Sequence, residues 1–148
     1  MTCSKQRTIE FNSFHIGKNE HAKPHMMNIL LVEDDEMLLK SLSYFLSSNL
    51  YNVVTFDNGL DAISYISTNG EELDLVITDL NLPFAGGQQV IHTIRKHSKK
   101  NIPIIVLTSS GVESTELEVF DLGADEFISK PFSPSVLKKR MEKLLSKI

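Results

Sequence analysis

The 148-residue sequence has no tryptophan and a single cysteine, Cys3. One cysteine excludes an internal disulfide and fits a reducing compartment. A basic excess is also missing: 15 Lys and Arg face 19 Asp and Glu, a formal net charge of −4. That excludes a general cationic footprint for nucleic acid. No apolar run approaches the roughly 18 to 20 residues of a membrane span, and the N-terminus lacks the apolar core of a signal peptide. A cytoplasmic protein is expected, with neither nucleic acid nor a membrane as direct partner. What is present is ordinary for a globular chain, 41% hydrophobic and 23% charged residues. The length suits one domain with a core of its own.

Residues 1–27 read differently from the rest. They carry Lys5, Arg7, Lys18 and Lys23 against Glu10 and Glu20, a net +2 that leaves −6 for residues 28–148. Ile9, Phe11, Phe14 and Ile16 follow no helical or strand repeat, so a flexible leader is expected. His15, His21 and His25 are spaced by six and four residues, which matches no compact metal site, and they read as incidental. Met26 or Met27 is an alternative start that the sequence leaves open.

From residue 28 onward, apolar runs alternate with amphipathic segments five times. The runs are ILLV (29–32), VVTF (53–56), LDLVIT (73–78), IPIIVL (102–107) and EFIS (126–129). The first, third and fourth are nearly continuous aliphatic stretches, as expected of central parallel strands covered on both faces. The second and fifth are shorter and more polar, which suits sheet edges. Between them, Leu38, Leu39, Leu42, Phe45 and Leu46 repeat at helical spacing and predict one buried stripe. Ala62, Ile63 and Ile66 make a shorter stripe, and Val90, Ile91 and Ile94 another. Leu117 and Phe120 mark a weak fourth helix, and Leu137, Met141, Leu144, Leu145 and Ile148 a clear final one. Gly59, Gly70, Gly87, Gly111 and Gly123 fall at or near junctions. Five βα units predict an α/β fold, a doubly wound parallel sheet with right-handed crossovers and helices on both faces. In such sheets ligands bind beyond the carboxyl ends of the strands, where strand order reverses.

The first strand ends in Glu33 and Asp34, and the third in Asp79. The fourth ends in Thr108, followed by Ser109 and Ser110, and the fifth in Lys130, followed by Pro131. Each has an ordinary reading: acids after a strand cap helices, Asp before a Pro-containing loop forms turns, Thr is a β-former, and an edge Lys is a solvated gatekeeper. Their joint placement at four strand ends is harder to ascribe to chance. Together they suit phosphoryl transfer. Clustered carboxylates repel unless a hard cation sits among them, and Mg²⁺ takes a few oxygens plus its own waters. One carboxylate can then act as nucleophile and take a phosphoryl group as an acyl phosphate. The metal, a lysine and hydroxyl or N–H donors neutralise the equatorial oxygens. Asp35 and Glu36, next in the same acidic run, fall where the first helix begins, a place that favours negative charge.

LVEDDE, ITDLNLP, VLTSSG and GADEFISKPF resemble, in order and spacing, the receiver domain of two-component response regulators, over residues 28–148. The resemblance implies a flavodoxin-like (βα)₅ fold with strand order 2-1-3-4-5. It implies Asp79 as phosphoacceptor, with Mg²⁺ held by Asp34, by Glu33 directly or through a water, by Asp79 and by the backbone carbonyl of Asn81. Thr108 would hydrogen-bond the phosphoryl group and Lys130 would pair with it, across a cis Lys130–Pro131 bond. Phe127 stands at the family's switch aromatic and would turn inward as Thr108 moves. The donor implied is a sensor histidine kinase or a histidine phosphotransfer protein. Three departures stand out: Glu33 in place of the commoner Asp, Gly86 where an acid is frequent, and Phe127 in place of Tyr. Gly86 puts the rigidity of its loop in question.

A phosphoacceptor of this kind assists its own phosphorylation and dephosphorylation and is not expected to be an enzyme acting on other substrates. The chain ends one helix after KPF, so a stand-alone, chemotaxis-regulator-like receiver is expected, passing phosphate on or binding a partner through helix four, strand five and helix five. Glu116, Glu118 and Val136 do not supply the charge pattern of the family's dimerising branch, so a monomer is expected. The basic KKRMEKLLSKI ending reads as a solvated helix face. Two rival readings are a degenerate receiver used only for docking and a Mg²⁺-dependent aspartyl phosphohydrolase. Against the second stands Asn81, a poor proton shuttle two residues beyond Asp79. A flavodoxin-type cofactor site is weaker still, since acids after the first strand would repel a phosphate.

Overall fold

The computed structural model describes residues 26–109 and 113–147. The leader's histidines, Cys3, Ser110, Gly111 and Ile148 lie outside the described residues. Five strands, β1 (Asn28–Val32), β2 (Asn52–Phe56), β3 (Leu75–Asp79), β4 (Ile104–Thr108) and β5 (Glu126–Ser129), form one parallel sheet in the order β2-β1-β3-β4-β5. They alternate with helices α1 (Glu36–Ser48), α2 (Gly59–Asn69), α3 (Gly87–His97), α4 (Glu113–Leu122) and α5 (Pro134–Leu145), and a 3₁₀ turn at Gly70–Glu72 precedes β3. β3 and β4 are buried along their whole length, whereas edge strand β2 has no fully buried residue and edge strand β5 only Ile128.

Period-two alternation sorts the aliphatic runs into two cores. Leu30, Val32, Val76, Ile104 and Val106 face α2, α3 and α4, packing on Ala62, Ile66, Val90, Ile91, Ile94 and Val119. Ile29, Leu31, Leu75, Ile77, Ile105, Leu107 and Ile128 face α1 and α5, packing on Leu42, Leu46, Leu137 and Met141. Each fully buried Leu or Ile stabilises the fold by about 1.5–3 kcal/mol, which is why the central strands carry almost no polar residue.

Three expectations shift. β3 begins at Leu75 and not Leu73, because the Asp74 carboxylate is occupied with the N–H of Asn28 (2.8 Å). β4 begins at Ile104, after Pro103, which has no N–H to give a ladder. Among the described residues of α4 the buried one is Val119, while Leu117 and Phe120 are 58% and 42% exposed. Phe120 instead leans on the ring of Phe127, with centroids 6.4 Å apart.

Candidate functional site

β1 and β3 are neighbours, and the chain leaves both at the same edge of the sheet in acids. The Glu33 N–H donates to Phe56 O (3.1 Å), carrying the β1–β2 ladder one residue past β1, and Lys130 N–H donates to Thr108 O (2.8 Å), doing the same for β5. Continued alternation puts Glu33 on the face of Ile29 and Leu31, Asp79 on that of Leu75 and Ile77, and Lys130 on that of Ile128. Residues nearly a hundred positions apart therefore meet.

Carboxylate oxygens of Glu33, Asp34 and Asp79 lie within 4.8 Å of one another. Glu33 and Asp79 are buried and Asp34 is exposed. Lys130 Nζ stands 2.8 Å from Glu33 Oε1 and 3.1 Å from Asp79 Oδ2. The Leu80 N–H donates to Asp79 Oδ1 (2.7 Å), so both oxygens of that carboxylate are positioned. The Asp35 N–H donates to Glu33 Oε2 (3.0 Å).

Electrostatically the cluster is unbalanced, with three carboxylates around one ammonium. Burial pushes the Glu33 carboxyl above the usual carboxylate range; Lys130 and the Asp35 N–H oppose the rise, and Asp79 adds to it. For Lys130, burial alone would lower the pKa, but contact with Glu33 and Asp79 outweighs it and holds the ammonium above its ordinary value. Glu33 Oε1 has the charge of Lys130 nearby but no donor at hydrogen-bonding angles, a buried oxygen left unsatisfied. Such an atom calls for an explanation, and an all-oxygen donor set of this charge fits a hard divalent cation such as Mg²⁺.

The remaining expected residues fall nearby. Asn81 stands two residues beyond Asp79, at an exposed loop position. Thr108 is buried at the end of β4, one residue past Leu107, the register partner of Asp79. Phe127 pairs with Val106, two residues before Thr108, so Phe127 and Thr108 share the face covered by α4. The Lys130–Pro131 bond is cis. The structure thus gathers Glu33, Asp34, Asp79 and Lys130 directly, places Thr108 at the adjacent strand end, and sets Phe127 farther down against α4. Two participants carried no side-chain signal in the sequence: the backbone N–H groups of Leu80 and Asp35.

Gly86 begins α3 without a side-chain cap, yet its loop is pinned. The Gly87 N–H donates to Leu80 O (2.8 Å), and a Cβ on Gly87 would lie 2.3 Å from Asp79 O. The close approach of loop and strand therefore requires glycine at this position.

Comparison with known proteins points to one family. The family model described as the response regulator receiver domain matches residues 29–142. Response regulator RR06 of Streptococcus pneumoniae is 35% identical over 119 residues, 80% of this chain and 53% of that protein. The non-phosphorylated HemR receiver domain from Leptospira biflexa is 36% identical with a TM-score of 0.73, covering 81% of this chain and 94% of that one. The receiver domain of a sensor histidine kinase from Pseudomonas aeruginosa, solved with a magnesium ion coordinated in its active-site cleft, shares the fold at a TM-score of 0.73 and 23% identity, covering 82% of this chain and 99% of that one. The chain spans about half the length of the curated relatives it matches.

Proposed function

The chain belongs to the response-regulator receiver family, and from that premise we propose that it is a phosphorylation switch with Asp79 as acceptor. The observation that carries this reading is the cluster of three carboxylates within 4.8 Å, one of them 3.1 Å from the Lys130 ammonium. The donor is a phosphohistidine on a sensor histidine kinase or a histidine phosphotransfer protein. An Asp79 oxygen attacks phosphorus in line; an O–P bond forms as the P–N bond breaks. The imidazole nitrogen keeps that electron pair and takes up a proton, leaving an acyl phosphate. Magnesium, when bound by Glu33, Asp34, Asp79 and the Asn81 carbonyl, supplies positive charge to the phosphoryl oxygens, as the ion in the Pseudomonas domain's cleft suggests by analogy. Lys130 pairs with one phosphoryl oxygen, and the Thr108 hydroxyl donates to another.

Because Thr108 and Phe127 share one face, movement of the threonine toward the new charge opens space for the ring. The α4–β5–α5 surface then shifts between two packings and is read by a partner protein, or the phosphate is passed on. Such a chain assists its own phosphorylation and dephosphorylation without being an enzyme for other substrates. No described helix is long and apolar enough to cross a membrane; we place the protein in the cytoplasm.

Incubation with Mg²⁺ and acetyl phosphate is expected to add about 80 Da, one phosphoryl group, by intact mass. The adduct should vanish in Asp79→Asn and in the presence of a chelator. No adduct on the unaltered chain would leave a docking module, and catalytic turnover of phosphoesters would point to a hydrolase.

A further inference from the structure

Phe84 is 85% exposed, on the loop that leads from Asp79 into α3. Its φ is 69°, a region where bulky residues are rare. Across it the Ala85 N–H donates to Pro83 O at 2.8 Å, making a γ-turn of the positive-φ kind, an uncommon and strained form. Glycine or asparagine would adopt this backbone more readily, and the exposed ring gains no burial in return. Nor is the turn free to relax. The Gly59 N–H donates to Pro83 O (3.3 Å), and α2 approaches so closely that a Cβ on Gly59 would lie 1.8 Å from Ala85 O. The ring is thus held outward, five residues past the acceptor. Met37, in the first turn of α1 and three residues past Asp34, is 80% exposed. Since β1 and β3 are adjacent, the loops that follow them flank one cleft.

We propose that Phe84, together with Met37, is the apolar contact through which the phosphohistidine donor protein docks over Asp79; this rests on the function proposed above. Any protein that delivers a phosphoryl group to Asp79 must cover this loop. The delivered group is anionic, and with Mg²⁺ bound the three carboxylates and one ammonium of the described cleft carry no net charge to draw it in. Electrostatic attraction between the two surfaces is therefore poor, and apolar contact at the rim supplies the affinity. A second copy of the chain is a worse occupant, because pairing would bring together two bodies that each carry −6 over residues 28–148. A small phosphodonor needs no such contact.

That difference sets the test. Transfer is measured from phosphoramidate, a small P–N donor, and from a panel of phosphohistidine-loaded phosphotransfer domains, using the fastest on the unaltered chain. Phe84→Asn keeps the backbone preference and removes the ring. It is expected to raise the KM for the protein donor about tenfold with kcat held, the pattern of lost uniform binding, and to leave the phosphoramidate rate within about twofold. Phe84→Leu should recover most of the loss. An unchanged KM overturns the proposal, as does an equal loss with phosphoramidate, or a panel in which no domain outruns phosphoramidate at equal concentration. An unchanged KM with altered sedimentation would assign the ring to self-association. If phosphoramidate leaves even the unaltered chain unmodified, the proposed function falls first and the docking contact with it.

Discussion

At the amino end of the sheet, Asp74 and Asp125 each stand one residue ahead of a strand, whereas at the carboxyl end Glu33, Asp34 and Asp79 follow strands or close them. The amino-end pair make the same clamp twice. The Asp74 N–H donates to Asn28 O (2.8 Å) while its Oδ2 accepts from Asn28 N–H (2.8 Å). The Asp125 N–H donates to Ile104 O (2.8 Å) while its Oδ2 accepts from Ile104 N–H (2.8 Å). Arg95 joins the second clamp, reaching Ile102 O (2.7 Å), Gly123 O (2.7 Å) and Asp125 Oδ2 (3.1 Å). At the carboxyl end Glu33 and Asp79 each receive one backbone N–H, from Asp35 and Leu80, and share the Lys130 ammonium as their cation. Identical side-chain chemistry stabilises where each carboxylate is locked to a single neighbouring residue, and invites a cation where three carboxylates gather around one ammonium.

Breaking the amino end should therefore cost stability and spare the chemistry. Arg95→Ala removes charge-assisted donors from two carbonyls, worth about 1.5 kcal/mol each. Its ion pair with Asp125 is partly exposed and adds little. A loss of about 3 kcal/mol is expected, a fall in Tm of roughly 10 °C, read by thermal unfolding. The acetyl phosphate adduct should form at an unchanged rate below that Tm; a slowed reaction would mean the two ends are coupled.

The carboxyl end should show the reverse. Mg²⁺ at about a hundred times its Kd is expected to raise the unfolding free energy by about 2.7 kcal/mol, and Asp34→Asn or Glu33→Gln to erase most of that gain. In chelator, Glu33→Gln should change stability by less than about 1 kcal/mol, because it also removes like-charge repulsion in a cluster short of donors. Urea unfolding with and without Mg²⁺ measures both. A Glu33→Gln protein that unfolds far more easily in chelator would make this end structural too.

The carboxyl-end residues were legible in the sequence because a parallel sheet delivers every strand's carboxyl end to one edge. Glu33, Asp34, Asp79, Thr108 and Lys130 could be assigned to that edge with no contact known. The amino-end clamps were not legible. Asp74 lies 46 residues from Asn28 and Asp125 lies 21 from Ile104, and an Asp beside an apolar run, as in LDLVIT, reads as part of the strand. On α4 the residues that mark the helix in the sequence, Leu117 and Phe120, are exposed and Val119 is buried, since so few apolar residues in a short helix do not fix its phase. Phe84 carried no turn signal of its own: Pro83 and the glycines mark a loop, but nothing in the residue type announces a positive φ.

The smallest expected effect divides the acidic run itself. Asp35 caps α1, its Oδ1 accepting from Leu38 N–H at 3.1 Å, while its own N–H serves Glu33 Oε2. Asp35→Ala deletes the cap and keeps that N–H. It should cost about 1 kcal/mol of stability and leave the Mg²⁺-induced stabilisation intact, measured by the same paired urea titrations. Loss of the Mg²⁺ response in this variant would show that the Asp35 carboxylate belongs to the cation site. Its retention, beside its loss in Asp34→Asn, would place the boundary between chemistry and helix capping between two adjacent aspartates.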